Sequence, residues 1–211
     1  MVSVYGEALC PFTMKYIVNQ LYPTWERMGK KYMKVDYISY GNAQMTLRNM
    51  RYNFTCQHGP EECLGNAVTN CVKFAHHETE ENFLLFLNCF AFQFISGAKE
   101  SFSVTKATQY CSTIGKIDYE AIYKCAVGEK GNLLLAEAGK LTMELNPPHK
   151  YVPWIVINGI HNDTIQEAGE TDLPRLICSM FPPNELPPPC VASQGAKSEK
   201  KEKDQKNKKD K

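Results

Sequence analysis

The sequence has no stretch long and apolar enough to cross a membrane as a helix. Its most apolar segment, Phe83 to Ile95 (FLLFLNCFAFQFI), covers 13 residues and is broken by Asn88, Cys89 and Gln93, whereas a span takes about 20 residues. That segment reads as a buried helix. No basic stretch and no long apolar run follow Met1, so nothing there reads as a secretory leader. No two cysteines stand two to four residues apart, and without that spacing the usual zinc knuckle is excluded. Cysteine itself is too sparse for a disulfide-held mini-protein: nine in 211 residues is well under the ~8–10% that marks such scaffolds. It is still too abundant for an ordinary cytosolic enzyme. An odd count leaves at least one thiol without a partner in the chain.

Charge of one sign is also missing overall, with 24 basic against 23 acidic residues and a net of +1, but the balance hides two unlike parts. From Ser193 to Lys211 eight lysines face Glu199, Glu202, Asp204 and Asp210, giving +4, so residues 1–192 carry 1 − 4 = −3. The tail has no aromatic or branched aliphatic side chain with which to offset its ordering entropy and is expected to be disordered. Its lysines can touch an anionic surface. A body of 192 residues is long enough for one domain with a sizeable core.

Hydrophobic patterning gives an α/β frame interrupted by helices. Val2 to Gly6 reads as a strand, and Cys10-Pro11 opens a helix running through Met14, Ile17, Val18, Leu21 and Tyr22, with proline at a position whose N–H would lack a partner anyway. Met33 to Tyr40 alternates as a second strand and completes a βαβ unit. Residues 42–72 are polar and cysteine-rich, without clear periodicity. Four helices are expected over 78–94, 104–111, 119–126 and 132–144. Val152 to Gly159 reads as a strand ending in an Asn-Gly hairpin signal, and a last helix as Asp172 to Met180. This layout is that of an α/β, thioredoxin-like fold, stabilised by disulfides, with a helical subdomain inserted at about 75–145 and the lysine-rich tail at 193–211.

One motif is far more specific than patterning. Cys56-Gln57-His58-Gly59-Pro60-Glu61-Glu62-Cys63-Leu64-Gly65-Asn66-Ala67-Val68-Thr69-Asn70-Cys71 fits C-Q-H-G-x2-E-C-x2-N-x4-C at Cys56, Gln57, His58, Gly59, Glu62, Cys63, Asn66 and Cys71. Chance agreement at one start is on the order of 10⁻¹⁰. With this signature the sequence resembles the gamma-interferon-inducible lysosomal thiol reductase family, GILT. Tyr40-Gly41-Asn42-Ala43-Gln44, Cys125 to Gly131 and Pro147 to Trp154 extend the resemblance, which runs from about Val2 to Cys190. It implies a secreted or lysosomal glycoprotein of thioredoxin-like fold whose relatives reduce protein disulfides at acidic pH.

The resemblance also exposes a departure. Relatives carry C-x-x-C after the first strand, whereas Cys10-Pro11-Phe12-Thr13 has threonine in the second place. In the two-cysteine reaction the first thiolate captures a substrate disulfide and the second cysteine releases it. Thr13 forms no sulfur–sulfur bond but offers an O–H that could stabilise the Cys10 thiolate. The expected site is therefore Cys10, Thr13 and a cis Pro153, with Pro11, Phe12, Val152 and Trp154 forming a substrate groove. Cys56, Cys63, Cys71, Cys89, Cys111, Cys125, Cys178 and Cys190 are expected to pair in disulfides, leaving Cys10 free. Asn53 and Asn162 head two glycosylation sequons. His76-His77 reads as a solvated face, and His149 receives no chemistry.

No metal and no cofactor are expected, beyond an external small thiol if the protein turns over. Two functional readings stand: an impaired, single-cysteine thiol-disulfide oxidoreductase acting on protein or peptide disulfides, or a non-catalytic module binding an extracellular protein partner. Neither calls for nucleic acid or a membrane span. Cytosolic monothiol redox chemistry resembling glutaredoxin is disfavoured by the other eight cysteines and the sequons.

Overall fold

Alternating Val2 and Val4 bury one side of a five-residue strand, and this strand, β1 (Val2–Gly6), becomes the centre of the sheet. The computed structural model describes residues 1–97 and 102–191; the lysine-rich tail expected at 193–211 lies outside them. β1 pairs in parallel with β2 (Val35–Ser39), Val4 opposite Tyr37, and antiparallel with β5 (Trp154–Ile157), Val4 opposite Ile155. The order β2-β1-β5 puts the C-terminal end of β1, and whatever follows it, between two neighbours.

The first helical stretch is continuous but changes pitch. After α1 (Pro11–Tyr16) comes a π-helical turn, Ile17–Leu21, and then α2 (Tyr22–Met28). Pro23 explains the widening: it has no N–H to give and its ring would crowd the carbonyl four residues back. The Tyr22 N–H accordingly reaches the Ile17 carbonyl.

Residues 42–72, which show no periodicity in sequence, contain regular structure. β3 (Gln44–Arg48) and β4 (Arg51–Thr55) form a hairpin turned at Asn49 and Met50, both with positive φ, and α3 (Pro60–Ala75) follows. The helices therefore begin at Pro60 rather than near residue 75. The period is hard to see because the buried side of α3 mixes polar with apolar residues, Glu62, Asn66, Thr69 and Asn70 facing inward beside Ala67, Val68, Cys71 and Val72.

α4 (Glu80–Ser96) carries the apolar run and buries Phe83, Leu84, Phe86, Leu87, Phe90, Ala91 and Phe94. Each of these phenylalanines and leucines contributes roughly 1.5–3 kcal/mol. A disulfide from Cys89 to Cys111 fastens α4 to α5 (Val104–Gly115), and Cys71–Cys125 fastens α3 to α6 (Tyr119–Val127). α7 (Glu129–Met143) packs on α3 and β2. No helix among the described residues is long and apolar enough to cross a membrane.

Two further differences have local causes. Asn158 and Gly159 adopt positive φ and close a tight turn in which Ile157 and Ile160 exchange backbone hydrogen bonds, but no second strand grows from it. The chain instead enters α8 (Asp163–Ser179), capped by the Asn162 side chain on the Ile165 N–H at 2.8 Å. α8 begins nine residues before Asp172 because Asp172 is an internal kink, with φ −150° and ψ 67°. Its carboxylate accepts from the Arg175 N–H, so it carries the chemistry of a helix start inside a longer helix. Cys178–Cys190 ties the end of α8 to the last described turn.

Candidate functional site

β1 ends at Gly6, and Glu7-Ala8-Leu9 delivers Cys10 to the position just ahead of α1, where Pro11 is the first helical residue. Cys10 carries the one free thiol; the other eight cysteines pair as Cys56–Cys63, Cys71–Cys125, Cys89–Cys111 and Cys178–Cys190. Cys10 is 6% exposed, and its Sγ donates to the Val152 carbonyl at 3.8 Å. The Val152–Pro153 peptide bond is cis. Gln166, from α8, holds both sides of this turn. Its Oε1 accepts from the Ile155 N–H at 2.9 Å and its Nε2 donates to the Pro153 carbonyl at 2.9 Å.

Thr13 lies fully buried, at 0% exposure, one helical turn beyond Cys10. Its Oγ1 has no hydrogen-bond partner among the described residues, and the expected O–H contact to Cys10 is absent. The reason is packing: a Cβ on Gly6 would lie 2.5 Å from Thr13 Cγ2 and 2.7 Å from the Tyr37 hydroxyl, so the threonine methyl plugs the space over the strand end. Tyr37, beneath, is kept protonated by burial first and then by the proximity of Cys10 and Glu7.

Beside the thiol opens a cleft of about 560 Å³, lined by Phe12, Tyr16, Tyr151, Val152 and Pro153 with Lys15 and Glu170 of opposite charge. Phe12 stands 73% exposed at its rim, and Pro11 is half-buried. Trp154, expected at this groove, is not part of its wall. It is 2% exposed, stacked on His161 with ring centroids 3.7 Å apart and edge-on to Tyr151 at 5.8 Å. The cis turn separates the two rings: Tyr151 precedes it and lines the cleft, while Trp154 follows it and is buried.

The signature residues act on the backbone behind the thiol. Asn66 Oδ1 accepts from the Ala8 N–H at 2.8 Å and from Ser39 Oγ at 2.9 Å, and its Nδ2 donates to the Tyr40 carbonyl. One side chain thus joins the ends of β1 and β2. Gln57 Oε1 accepts from Asn42 Nδ2 at 2.7 Å, and Asn42 Oδ1 lies 3.3 Å from His149 Nε2, which links the signature loop to the segment leading to Pro153. Cys56–Cys63 closes the signature loop, and Gly59, at φ +88°, precedes α3.

Next to Asn66 two carboxylates are buried. Glu7 Oε2 accepts from the Asn42 N–H and Glu62 Oε1 from the His58 N–H, each at 2.9 Å, while His58 Nδ1 lies 2.6 Å from Glu62 Oε2 and 3.6 Å from Glu7 Oε1. Burial pushes the Glu7 carboxyl up to about 7, the Asn42 amide opposing and Glu62 adding to the rise. Gly41, at φ +62°, allows this approach, because a Cβ there would overlap the Glu7 carboxylate. Sequence reading passes over Glu7, Asn42, Tyr151 and Gln166. Glu7 left one usable trace, a charged residue directly after a buried strand and three before the free cysteine.

A family profile described as "Gamma interferon inducible lysosomal thiol reductase (GILT)" matches residues 1–114, which include Cys10, Thr13 and the signature. The gamma-interferon-inducible lysosomal thiol reductase of Carassius auratus is 36% identical over 198 residues, covering 93% of this chain and 73% of the relative. The chain belongs to the GILT family. The mouse thiol reductase of the same name is 32% identical over 191 residues (90% and 71% of the two chains), and GILT-like protein 1 of Drosophila melanogaster 29% over 186 residues (84% and 73%). Among solved structures, oxidised BdbD from Bacillus subtilis superposes with a TM-score of 0.55 at 16% identity, over 82% of this GILT-family chain and 86% of its own. The fold is thioredoxin-like. The lone thiol, the cis proline and the helix start between them thus belong to a chain of a thiol-disulfide oxidoreductase family.

Proposed function

We propose that this protein is a secreted or lysosomal GILT-family member in which Cys10 captures disulfides of proteins or peptides and Thr13 leaves release to an external small thiol. The observation that carries the reading is the lone free thiol of Cys10 packed against the cis Val152–Pro153 turn, beside an open cleft. The Cys10 thiolate attacks one sulfur of the substrate disulfide, forming a mixed disulfide and expelling the other sulfur as a thiolate. A small thiol then attacks Cys10 Sγ, freeing the reduced substrate and leaving a Cys10–small-thiol disulfide. A second small thiol restores Cys10 and departs as the oxidised dimer, so two small thiols are oxidised for each disulfide reduced. No cofactor enters this cycle.

The low exposure of Cys10 supports a second reading, a binding module that uses the cleft around Phe12, Val152 and Pro153 without turnover. Asn53 and Asn162 are both exposed, which suits glycosylation and an extracellular or lysosomal setting, and the lysine-rich tail would add contact with an anionic surface. The deciding experiment follows reduction of a disulfide reporter at pH 4.5–5.5 with excess small thiol, comparing the protein with Cys10→Ser. A rate that falls to the thiol-only background in Cys10→Ser supports capture. Equal rates eliminate it in favour of the binding module.

A further inference from the structure

Behind the thiol two buried carboxylates and an exposed histidine converge. Glu7, His58 and Glu62 each offer one ligand atom, and these atoms all lie within 4.8 Å of one another. The division of labour within the carboxylates is informative. In each, one oxygen is already held by a backbone N–H, Glu7 Oε2 by Asn42 and Glu62 Oε1 by His58, both at 2.9 Å. The remaining oxygens, Glu7 Oε1 and Glu62 Oε2, converge on the same His58 Nδ1 at 3.6 and 2.6 Å. Glu7 is 1% exposed, and its Oε1, aimed into the cluster, has no hydrogen-bond partner among the described residues. A buried carboxylate oxygen without a hydrogen bond is costly unless a cation or proton answers it.

We propose that Glu7, His58 and Glu62 bind one zinc ion through Glu7 Oε1, His58 Nδ1 and Glu62 Oε2. Zinc–nitrogen and zinc–oxygen bonds of ~2.0–2.1 Å place tetrahedral donors about 3.3 Å apart, which falls between the two observed separations. Two carboxylates and a neutral imidazole carry −2, which a divalent ion cancels. The imidazole favours zinc over calcium or magnesium, which take six or more oxygen ligands. The backbone N–H groups on the outer oxygens would orient the ligands, as partners of metal-bound carboxylates do. His58 is exposed, which gives the ion its route in and leaves room for water in the fourth position. The thiolates take no part, since Cys56, Cys63 and Cys71 are in disulfides. The proposed site differs in composition from a cysteine knuckle. Bound there, the ion would lock the segment ahead of Cys10 to the signature loop, independently of whether Cys10 turns over.

The test uses the full chain with disulfides intact, in a Cys10→Ser background so that the thiol cannot bind the probe. After chelator treatment and equilibrium dialysis against zinc chloride, elemental analysis should find about one zinc per chain. X-ray absorption should show nitrogen and oxygen neighbours only. His58→Asn, an exposed substitution, should weaken binding at least about tenfold and abolish the zinc-dependent rise in thermal midpoint; Glu7→Gln should do the same. His58→Asn carries the result alone if Glu7→Gln does not fold. Zinc affinity within about twofold of the parent in His58→Asn would overturn the site, as would no binding in the parent. So would binding lost instead in a His76→Ala/His77→Ala double variant, which would assign the ion to the exposed histidine pair.

Discussion

Replacing Thr13 by valine tests whether the residue in the second-cysteine position serves the thiol or merely fills space. The exchange keeps the branched shape and one methyl and turns the hydroxyl into a second methyl. Thr13 is fully buried and its Oγ1 lacks a hydrogen-bond partner among the described residues, while Cys10 Sγ donates to Val152 instead. A buried hydroxyl left in that state costs ~1–3 kcal/mol, and threonine and valine differ little in helix propensity. Thr13→Val should therefore stabilise the protein by about 1–2 kcal/mol, an increase of roughly 2–8 °C in thermal midpoint for a domain of this size. Differential scanning calorimetry without reductant measures it. Alkylation of Cys10, followed by peptide mass analysis, should proceed within about twofold of the parent rate, because no hydrogen bond to sulfur is lost. A fall in midpoint together with an alkylation rate changed about tenfold or more would refute the reasoning and mean that the Thr13 hydroxyl pairs with the Cys10 sulfur.

Thr13→Cys should form a disulfide with Cys10 on oxidation and raise reporter reduction well above the parent; unchanged turnover would mean that the cleft, and not only position 13, has lost the chemistry. The disulfides should rank by the loop they close: removing Cys71–Cys125, with a separation of 54 residues, should cost about 4 kcal/mol and removing Cys178–Cys190, with 12, about 3 kcal/mol by the chain-entropy relation. Urea unfolding of the two double-alanine variants gives the order, and a reversed order would count against that relation here. Gly41→Ala and Gly59→Ala form a matched pair. Both glycines have positive φ, but only at Gly41 does the new Cβ meet the Glu7 carboxylate, with nothing within 4 Å at Gly59. Gly59→Ala, at φ +88° and ψ −170°, should cost about 2–3 kcal/mol from backbone strain alone, and Gly41→Ala should cost more, because the Glu7 carboxylate must also move. Equal losses in denaturant titrations would show that the Glu7 pocket yields easily.

How much of this was legible in the residues depended on whether apolar side chains marked the buried face. β1, β2, α4 and β5 were legible because Val2, Val4, the Phe83–Ile95 run and Ile155 follow the period of their element. α3 was not, since it buries Glu62, Asn66 and Asn70 against strand ends and so imitates a polar loop. The first half of α8 was hidden by Asp172, whose cap chemistry is real but internal. At the candidate site, Cys10, Phe12, Val152 and Pro153 came from the motif and the resemblance. Tyr151 in place of Trp154 depends on which side of the cis turn each ring leaves the backbone, and Glu7 acquires its partners, Asn42, His58 and Glu62, only through tertiary packing.

The geometry separates two properties that the family signature joins. Asn66, Gln57 and Glu62 touch backbone amides, Asn42 and His58; none of them touches sulfur of Cys10. Their effect is to fix the ends of β1 and β2 and the loop at Asn42, and hence the place where Cys10 leaves the sheet. Thr13 is not among these hydrogen bonds: its Cγ2 lies over Gly6, beside the Tyr37 hydroxyl, and its Oγ1 has no partner among the described residues. The signature side chains thus hold the backbone behind the thiol, while on the proposed mechanism the residue at position 13 decides whether captured substrate is released from within the chain. On that mechanism the fold keeps every signature contact while release depends on a thiol from outside.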